Sequence, residues 1–306
     1  MGVVDPDAPT ISVHAAGGGE APRVPDATAA LVSGEEVGRY TVRRVIDAGG
    51  MGVVYEADDR SLGRRVALKV LRSGQTRDPA MAARLVREAR TAAGLSHPNV
   101  VAVYEVGVHA TGPFIAMELV AGTTLRQWLA ATPRRWREIV RVFREAGLGI
   151  AAAHAAGIVH RDIKPDNILV GDDRVRVADF GLARFAQAPA EPVPATPSGE
   201  AAGDRITQVG AVLGTPRYMA PEQREGRDAD ARADQFSFCT SLDEALTGAR
   251  DVPVRIRRAI ARGMDPDPEA RHPSMDALLR ELVDEDAAGS ALGLGVLRDE
   301  TAPPHG

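Results

Sequence analysis

The sequence is short of several things, and each shortage excludes something. It has one cysteine, Cys239, so no disulfide can form within the chain, which suits a reducing compartment. Aromatic residues make up only 4% of the 306 residues, so a core must be built mainly from aliphatic side chains. No run approaches the ~18 apolar residues of a membrane span. The start lacks the basic and then apolar pattern of a secretory signal. There is no excess of positive charge: the formal net charge is −5, against what a nucleic-acid binder normally carries. These absences set the expectation of a cytoplasmic protein with no membrane or nucleic-acid partner. The length allows one large domain or two lobes. Residues 1–36, rich in Pro, Gly and Ala, read as a disordered leader, and residues 284–306 as a flexible tail.

What is present is concentrated in His160-Arg161-Asp162-Ile163-Lys164-Pro165-Asp166-Asn167-Ile168-Leu169. This stretch holds an acid, a base and a carboxamide, followed by an apolar run. Asp179-Phe180-Gly181 follows shortly after. Between them, two strand-like runs, Ile168-Leu169-Val170 and Val175-Arg176-Val177, are split by the turn Gly171-Asp172-Asp173. A hairpin here would bring Asn167 and Asp179 together. An amide oxygen beside a carboxylate is a pair of hard ligands of the type Mg²⁺ prefers. Asp162 would then lie near the metal as a proton acceptor, and Lys164 could meet phosphate oxygens.

The joint pattern H-R-D-x-K-x-x-N with D-F-G resembles the catalytic and metal-binding loops of bacterial eukaryotic-like (Hanks-type) serine/threonine protein kinases. The resemblance runs from about Val37 to Val283. It implies an α+β, bilobal protein-kinase fold. The N-lobe, residues 37–119, would be a small antiparallel sheet of about five strands plus one helix. The C-lobe, residues 120–283, would be larger and helical. It also implies ATP and Mg²⁺ as cofactors, with Ser/Thr hydroxyls of protein substrates as acceptors, the chain's own included.

Other residues take roles within that frame. Clustered glycines between strands, Gly49, Gly50 and Gly52, let a backbone close over a phosphate chain, and they resemble the kinase Gly-rich loop. Asp47 stands where that loop has its first glycine. Lys69 lies inside the buried-strand run Val66–Val70, where it needs an acid or a phosphate as partner. A helix starting at Asp78-Pro79 places Glu88 on its apolar stripe with Met81, Leu85 and Ala92. The resemblance pairs Glu88 with Lys69 to orient ATP phosphates. It also makes Met117, Glu118 and Val120 a hinge for adenine, with Ile46, Val54, Ala67 and Leu169 around the base. Each of those four is, taken alone, equally well a core residue.

In the second half, a helix begins at Thr132-Pro133 and stops at Gly157, with His154 read as a packed histidine. Residues 182–213, broken by four prolines, read as an activation segment. Arg161 would pair with a phosphate on it. Thr207 is the first candidate acceptor, with Thr196 and Ser198 behind it. Gly214–Glu222 resembles the substrate-positioning loop, in which Thr215 with Lys164 fits Ser/Thr acceptors. The resemblance pairs Glu222 with Arg271 and gives Asp234 the task of holding the catalytic-loop backbone. One departure stands out: the stretch between Asp234 and Arg271 is short where the family usually carries a further helix that docks substrates. That shortening and Asp47 favour a runner-up, a pseudokinase-like nucleotide-binding scaffold. The set Lys69, Glu88, Asp162, Asn167 and Asp179 favours the enzyme. A small-molecule phosphotransferase fits less well, because Gly214–Glu222 presents a peptide.

Overall fold

The computed structural model describes residues 31–49, 52–71, 93–110, 112–180 and 217–283. The N-terminal lobe is a sheet of six strands among the described residues: β1 (Glu36–Val37), β2 (Tyr40–Gly49), β3 (Gly52–Asp59), β4 (Arg64–Leu71), β5 (Val103–His109) and β6 (Gly112–Glu118). Every neighbouring pair is antiparallel, in the order β1-β2-β3-β4-β6-β5. Alternate side chains of these strands, Tyr40, Val42, Tyr55, Ala57 and Leu68 with Phe114, form the lobe's apolar core. β4 is central and buried from Val66 to Leu71, Lys69 included. The sheet exceeds the expected count because β1 adds a short edge. The lobe also begins earlier than Val37: Leu31 is buried in the same core and donates its backbone N–H to the Tyr55 hydroxyl at 3.0 Å.

β5 does not begin until Val103. Val101 instead donates its N–H to the Val177 carbonyl at 2.9 Å, and Val100 bridges to Val177. This stitch ties the sheet lobe to the second lobe directly behind the predicted metal-binding hairpin.

The second lobe comprises β7 (Gly122–Thr124), α1 (Leu125–Ala131), α2 (Trp136–Ala155), β8 (Ile168–Gly171), β9 (Val175–Val177), α3 (Pro221–Arg224), α4 (Ala231–Ala245), α5 (Val254–Gly263) and α6 (Met275–Glu281). Helix starts follow side-chain capping: Thr124 and Gln127 close a capping box on α1, Asp230 caps α4 and Ser274 caps α6. α2 begins at Trp136 rather than at Pro133, where Glu138 reaches back to the Arg135 N–H at 2.9 Å. The core lies between α2, α4 and α6, with Phe143 and Phe238 edge to face at 5.4 Å. α4 passes to α5 through residues 246–253 alone, with Gly248 (φ 80°) and Asp251 (φ 59°) making the turns. No helix among the described residues is long and apolar enough to cross a membrane.

Candidate active site

The site is built on the β8–β9 hairpin. Ile168 pairs with Val177, and the Ala178 N–H continues the ladder to the Asn167 carbonyl at 2.9 Å. Asn167 and the segment leading to Asp179 are thereby held side by side. A 3-10 turn, Pro165–Asn167, feeds the hairpin, with Pro at the turn's first position. The Asn167 amide donates to the Asp162 carbonyl at 2.7 Å and to its carboxylate at 3.1 Å. Lys164 Nζ meets the same carboxylate at 2.7 Å. Asp162, Lys164 and Asn167 therefore form one hydrogen-bonded group.

Across from them, Lys69 Nζ lies 2.7 Å from Asp179 Oδ2. Burial pushes the Asp179 carboxyl up most strongly, and Lys69, with smaller help from His160 and Lys164, brings it below the usual carboxylate range. Asp179 has φ 64°, and its chain direction is fixed by its neighbours. His160 Nε2 bonds the Ala178 carbonyl at 2.8 Å, and the His160 ring rests 4.6 Å from that of Phe180.

The loop that carries Asp162 is anchored from below. Arg161 has φ 69°, a conformation that costs a non-glycine residue about 1 kcal/mol or more. Asp234, fully buried, accepts the Arg161 N–H at 2.7 Å and the His160 N–H at 2.8 Å. His154 Nε2 joins the same carboxylate at 2.8 Å, so this histidine is a polar anchor rather than only a packing residue. Burial pushes the Asp234 carboxyl up, and the bond to His154 and the backbone donors bring it below its ordinary value. On the other side, the Gln223 amide donates to the Arg161 carbonyl at 3.0 Å. Gln223 follows Glu222, which makes a buried two-bonded pair with Arg271 at 2.7 and 2.8 Å. Arg271 further donates to the carbonyls of Asp265 and Arg232. The Arg161 guanidinium donates to the Ala229 carbonyl at 3.2 Å.

Above the hairpin lies an apolar surface of Val54, Ala67, Met117, Val120 and Leu169, to which Val101, Leu119 and Ala178 also belong. Ile46 is not part of it: it is 42% exposed, at a bulge between Val45 and Asp47 that leaves it without a partner in β3. The Glu118 carboxylate is turned to Arg176 at 3.0 Å. Gly49 and Gly52 face each other across the β2–β3 turn. Gly52 is required by the sheet itself, since a Cβ there would lie 2.2 Å from the Val70 carbonyl oxygen. The Asp47 carboxylate accepts the Ala48 N–H at 2.9 Å. Gly50, Glu88, Thr207 and Thr215 lie outside the described residues, as do Thr196 and Ser198, so the Lys69–Glu88 pair and the phosphate acceptors are not seen.

The donor set fits a phosphate-bound cation. The Asn167 amide nitrogen is spent on Asp162, which leaves its oxygen for another partner, and Asp179 adds a carboxylate. No group of three His, Cys, Asp or Glu side chains that could hold a metal occurs among the described residues. An ion here would need further oxygens, as Mg²⁺ takes from phosphates and water.

Sequence reading missed the His154–Asp234 contact, the apolar contributions of Val101 and Ala178, and a pair between Arg126 and Asp166. Each joins residues far apart in the chain and has no local signal.

Comparison with known proteins agrees with this geometry. Residues 40–283 match the family model described as a protein kinase domain. A probable serine/threonine-protein kinase of Streptomyces coelicolor is 39% identical over 81% of this chain and 37% of its own length. Serine/threonine-protein kinase PknA of Mycobacterium tuberculosis is 41% identical over 70% of this chain and 48% of its own length. The aligned part of the chain thus spans less than half the length of these relatives. Among solved structures, the kinase domain of M. tuberculosis PknI superposes with a TM-score of 0.66 at 27% identity, over 85% of this chain and all of that one.

Proposed function

The chain belongs to the protein kinase domain family, and from that premise we propose that it transfers the γ-phosphoryl group of ATP to Ser and Thr hydroxyls of proteins. The observation that carries this reading is the bonded group Asp162–Lys164–Asn167 facing the Lys69–Asp179 pair. Asp162 would orient the acceptor hydroxyl and take its proton. Lys164, already beside Asp162, would offset negative charge on the phosphoryl group in flight. Lys69 would hold the α and β phosphates, with Glu88 as its second partner. Asn167 and Asp179 would hold Mg²⁺, whose charge, when bound, neutralises the phosphate oxygens. Gly49, Gly50 and Gly52 would cover the phosphates. Val54, Ala67 and Leu169 would enclose the adenine against the Met117, Glu118 and Val120 backbone. Thr215 would favour Ser/Thr acceptors, and Arg161 would receive a phosphate carried on Thr207.

The test is transfer from radiolabelled ATP with Mg²⁺ to the chain itself and to a generic protein acceptor, with Asp162→Asn alongside. We expect label that falls at least about 100-fold in the variant, the scale of a lost general base. Equal label in the two proteins overturns the assignment of Asp162. A nucleotide-dependent thermal shift with no label would favour the scaffold reading, to which the short 246–253 connection lends some weight.

A further inference from the structure

A run of paired charges crosses the surface beside the catalytic loop, and the proposed phosphotransfer does not use it. Arg126, at the start of α1, makes a two-bonded pair with Asp166 at 2.7 and 2.8 Å. The same guanidinium donates to the Tyr218 hydroxyl at 3.3 Å, and that hydroxyl donates to Glu244 at 2.5 Å. Arg217 closes the run on the other Glu244 oxygen at 3.1 Å. Asp166 is only four residues after Asp162. Arg217 and Tyr218 belong to the loop read as presenting the acceptor. Two carboxylates that could attract a cationic side chain near the acceptor are therefore already occupied by the chain's own arginines. Arg126 holds the Asp166 carboxyl below its ordinary value, with partial burial opposing it.

Next to this run is a cavity of about 500 Å³, bounded by α1, the catalytic-loop turn, and the end of α4 with the short connection after it. Leu129, Ala130, Ile139, Pro165 and Ala249 line it, with Arg126 and Glu244 on its wall. Its size is that of a small ligand pocket. Because Pro165 and Arg126 belong both to the cavity and to the catalytic-loop surface, the two are continuous.

We propose that Arg126 and Arg217 are specificity-determining residues: by occupying Asp166 and Glu244 they turn away substrates with arginine or lysine near the acceptor, and the adjoining cavity takes an apolar side chain of the substrate protein instead. A substrate arginine reaching Asp166 must break two charge-assisted bonds to make two equivalent ones, and it loses its own freedom in doing so, so the exchange gains nothing. An apolar side chain meets no such competitor. This inference rests on the kinase reading for the path of the substrate.

The test uses the full chain saturated with Mg-ADP and two fluorescent peptides, each with a central Thr flanked by either leucines or arginines. Binding is read at about 0.15 M salt, which screens non-specific attraction of arginines to a chain of net charge −5. The leucine peptide should bind about tenfold more tightly. Arg126→Ala combined with Arg217→Ala should raise the affinity for the arginine peptide about tenfold. Ala130→Trp, at an exposed position on α1, should fill the cavity and weaken only the leucine peptide. Equal or tighter binding of the arginine peptide by the unmodified chain, or a peptide ratio unmoved by the double variant, overturns the proposal. Transfer from ATP to the same peptides is read separately. Leucine-peptide binding without transfer keeps the subsite and sinks the kinase reading, and transfer with no discrimination does the reverse.

Discussion

Asp234 accepts the Arg161 backbone N–H at 2.7 Å, directly under a residue held at φ 69°. Its other oxygen takes the His160 N–H and the His154 ring nitrogen. An aspartate is needed because every neighbour is a donor. Asp234→Asn turns an N–H toward these donors and leaves at least one of them buried and unpaired. The cost should be about 2–3 kcal/mol, read as a lower urea midpoint. Phosphotransfer should fall more than about tenfold, because Asp162 follows Arg161 directly. An unchanged midpoint would show that the loop holds its shape without this anchor.

The loop around Asp162 was legible because its chemistry is local. Asp162, Lys164 and Asn167 lie within six residues of one another, and the hairpin that carries Asn167 toward Asp179 is written as two strand-like runs and a Gly-Asp-Asp turn. The sheet lobe and the helical lobe were expected from the resemblance to protein kinases, and capping residues then set where α1, α4 and α6 start. What did not show were meetings between distant segments: Asp234 with His154, Arg126 with Asp166, and Val101 with Val177. Neither partner of such a pair carries a pattern that names the other. The bulge at Ile46 was hidden for a related reason. A single extra residue leaves the apolar alternation of a strand almost unchanged while turning one side chain out of register.

Arg271→Met removes the partner of Glu222 and leaves a buried carboxylate alone. The expected loss is about 3–5 kcal/mol in urea unfolding. Adding Glu222→Met should recover only part of it, because Arg271 also satisfies the Asp265 and Arg232 carbonyls. Full recovery would mean that those carbonyls find water.

Acid should unfold this chain through the same buried carboxyls. Glu222, Asp234 and Asp179 are each pushed up by burial and then brought below their ordinary values, by Arg271, by His154 and backbone donors, and by Lys69. A depressed carboxyl contributes stability that is complete above its unfolded value, near pH 4, and is lost as pH falls through the lower folded value. Unfolding free energy should therefore hold level from about pH 6 to 5 and drop below about pH 4. The Glu222→Met, Arg271→Met double variant should show a shallower drop. An identical slope would exclude Glu222 from the acid response.

Lys69→Met takes the cation from Asp179. The Asp179 carboxyl keeps a quarter of its surface in water, so the fold should survive with a loss of about 1–2 kcal/mol. The carboxyl should titrate higher, since burial then acts without Lys69 to oppose it. Phosphotransfer should be lost. Transfer at the unmodified rate would remove Lys69 from the site.

Gly149 sets two effects of opposite sign against each other. It sits in the middle of α2, where glycine costs about 1 kcal/mol relative to alanine, so Gly149→Ala should stabilise the helix taken by itself. Yet an added Cβ would stand 2.3 Å from the Asn99 carbonyl oxygen and 3.0 Å from its carbon, and backbone cannot swing away as a side chain can. Asn99 has little room to retreat. Its carbonyl accepts the Val177 N–H at 2.9 Å, and its side chain donates to the Val175 carbonyl at 2.8 Å. Moving Asn99 therefore pulls on β9, the strand that leads into Asp179. Overpacking of this kind costs about 1–3 kcal/mol, so the clash should outweigh the helix gain. The expected result is a lower urea midpoint together with weaker nucleotide-dependent stabilisation, because the Asp179 side of the site shifts. A raised midpoint with nucleotide response intact would mean that α2 and the Asn99 loop separate freely, and that the hairpin is not held in place from behind.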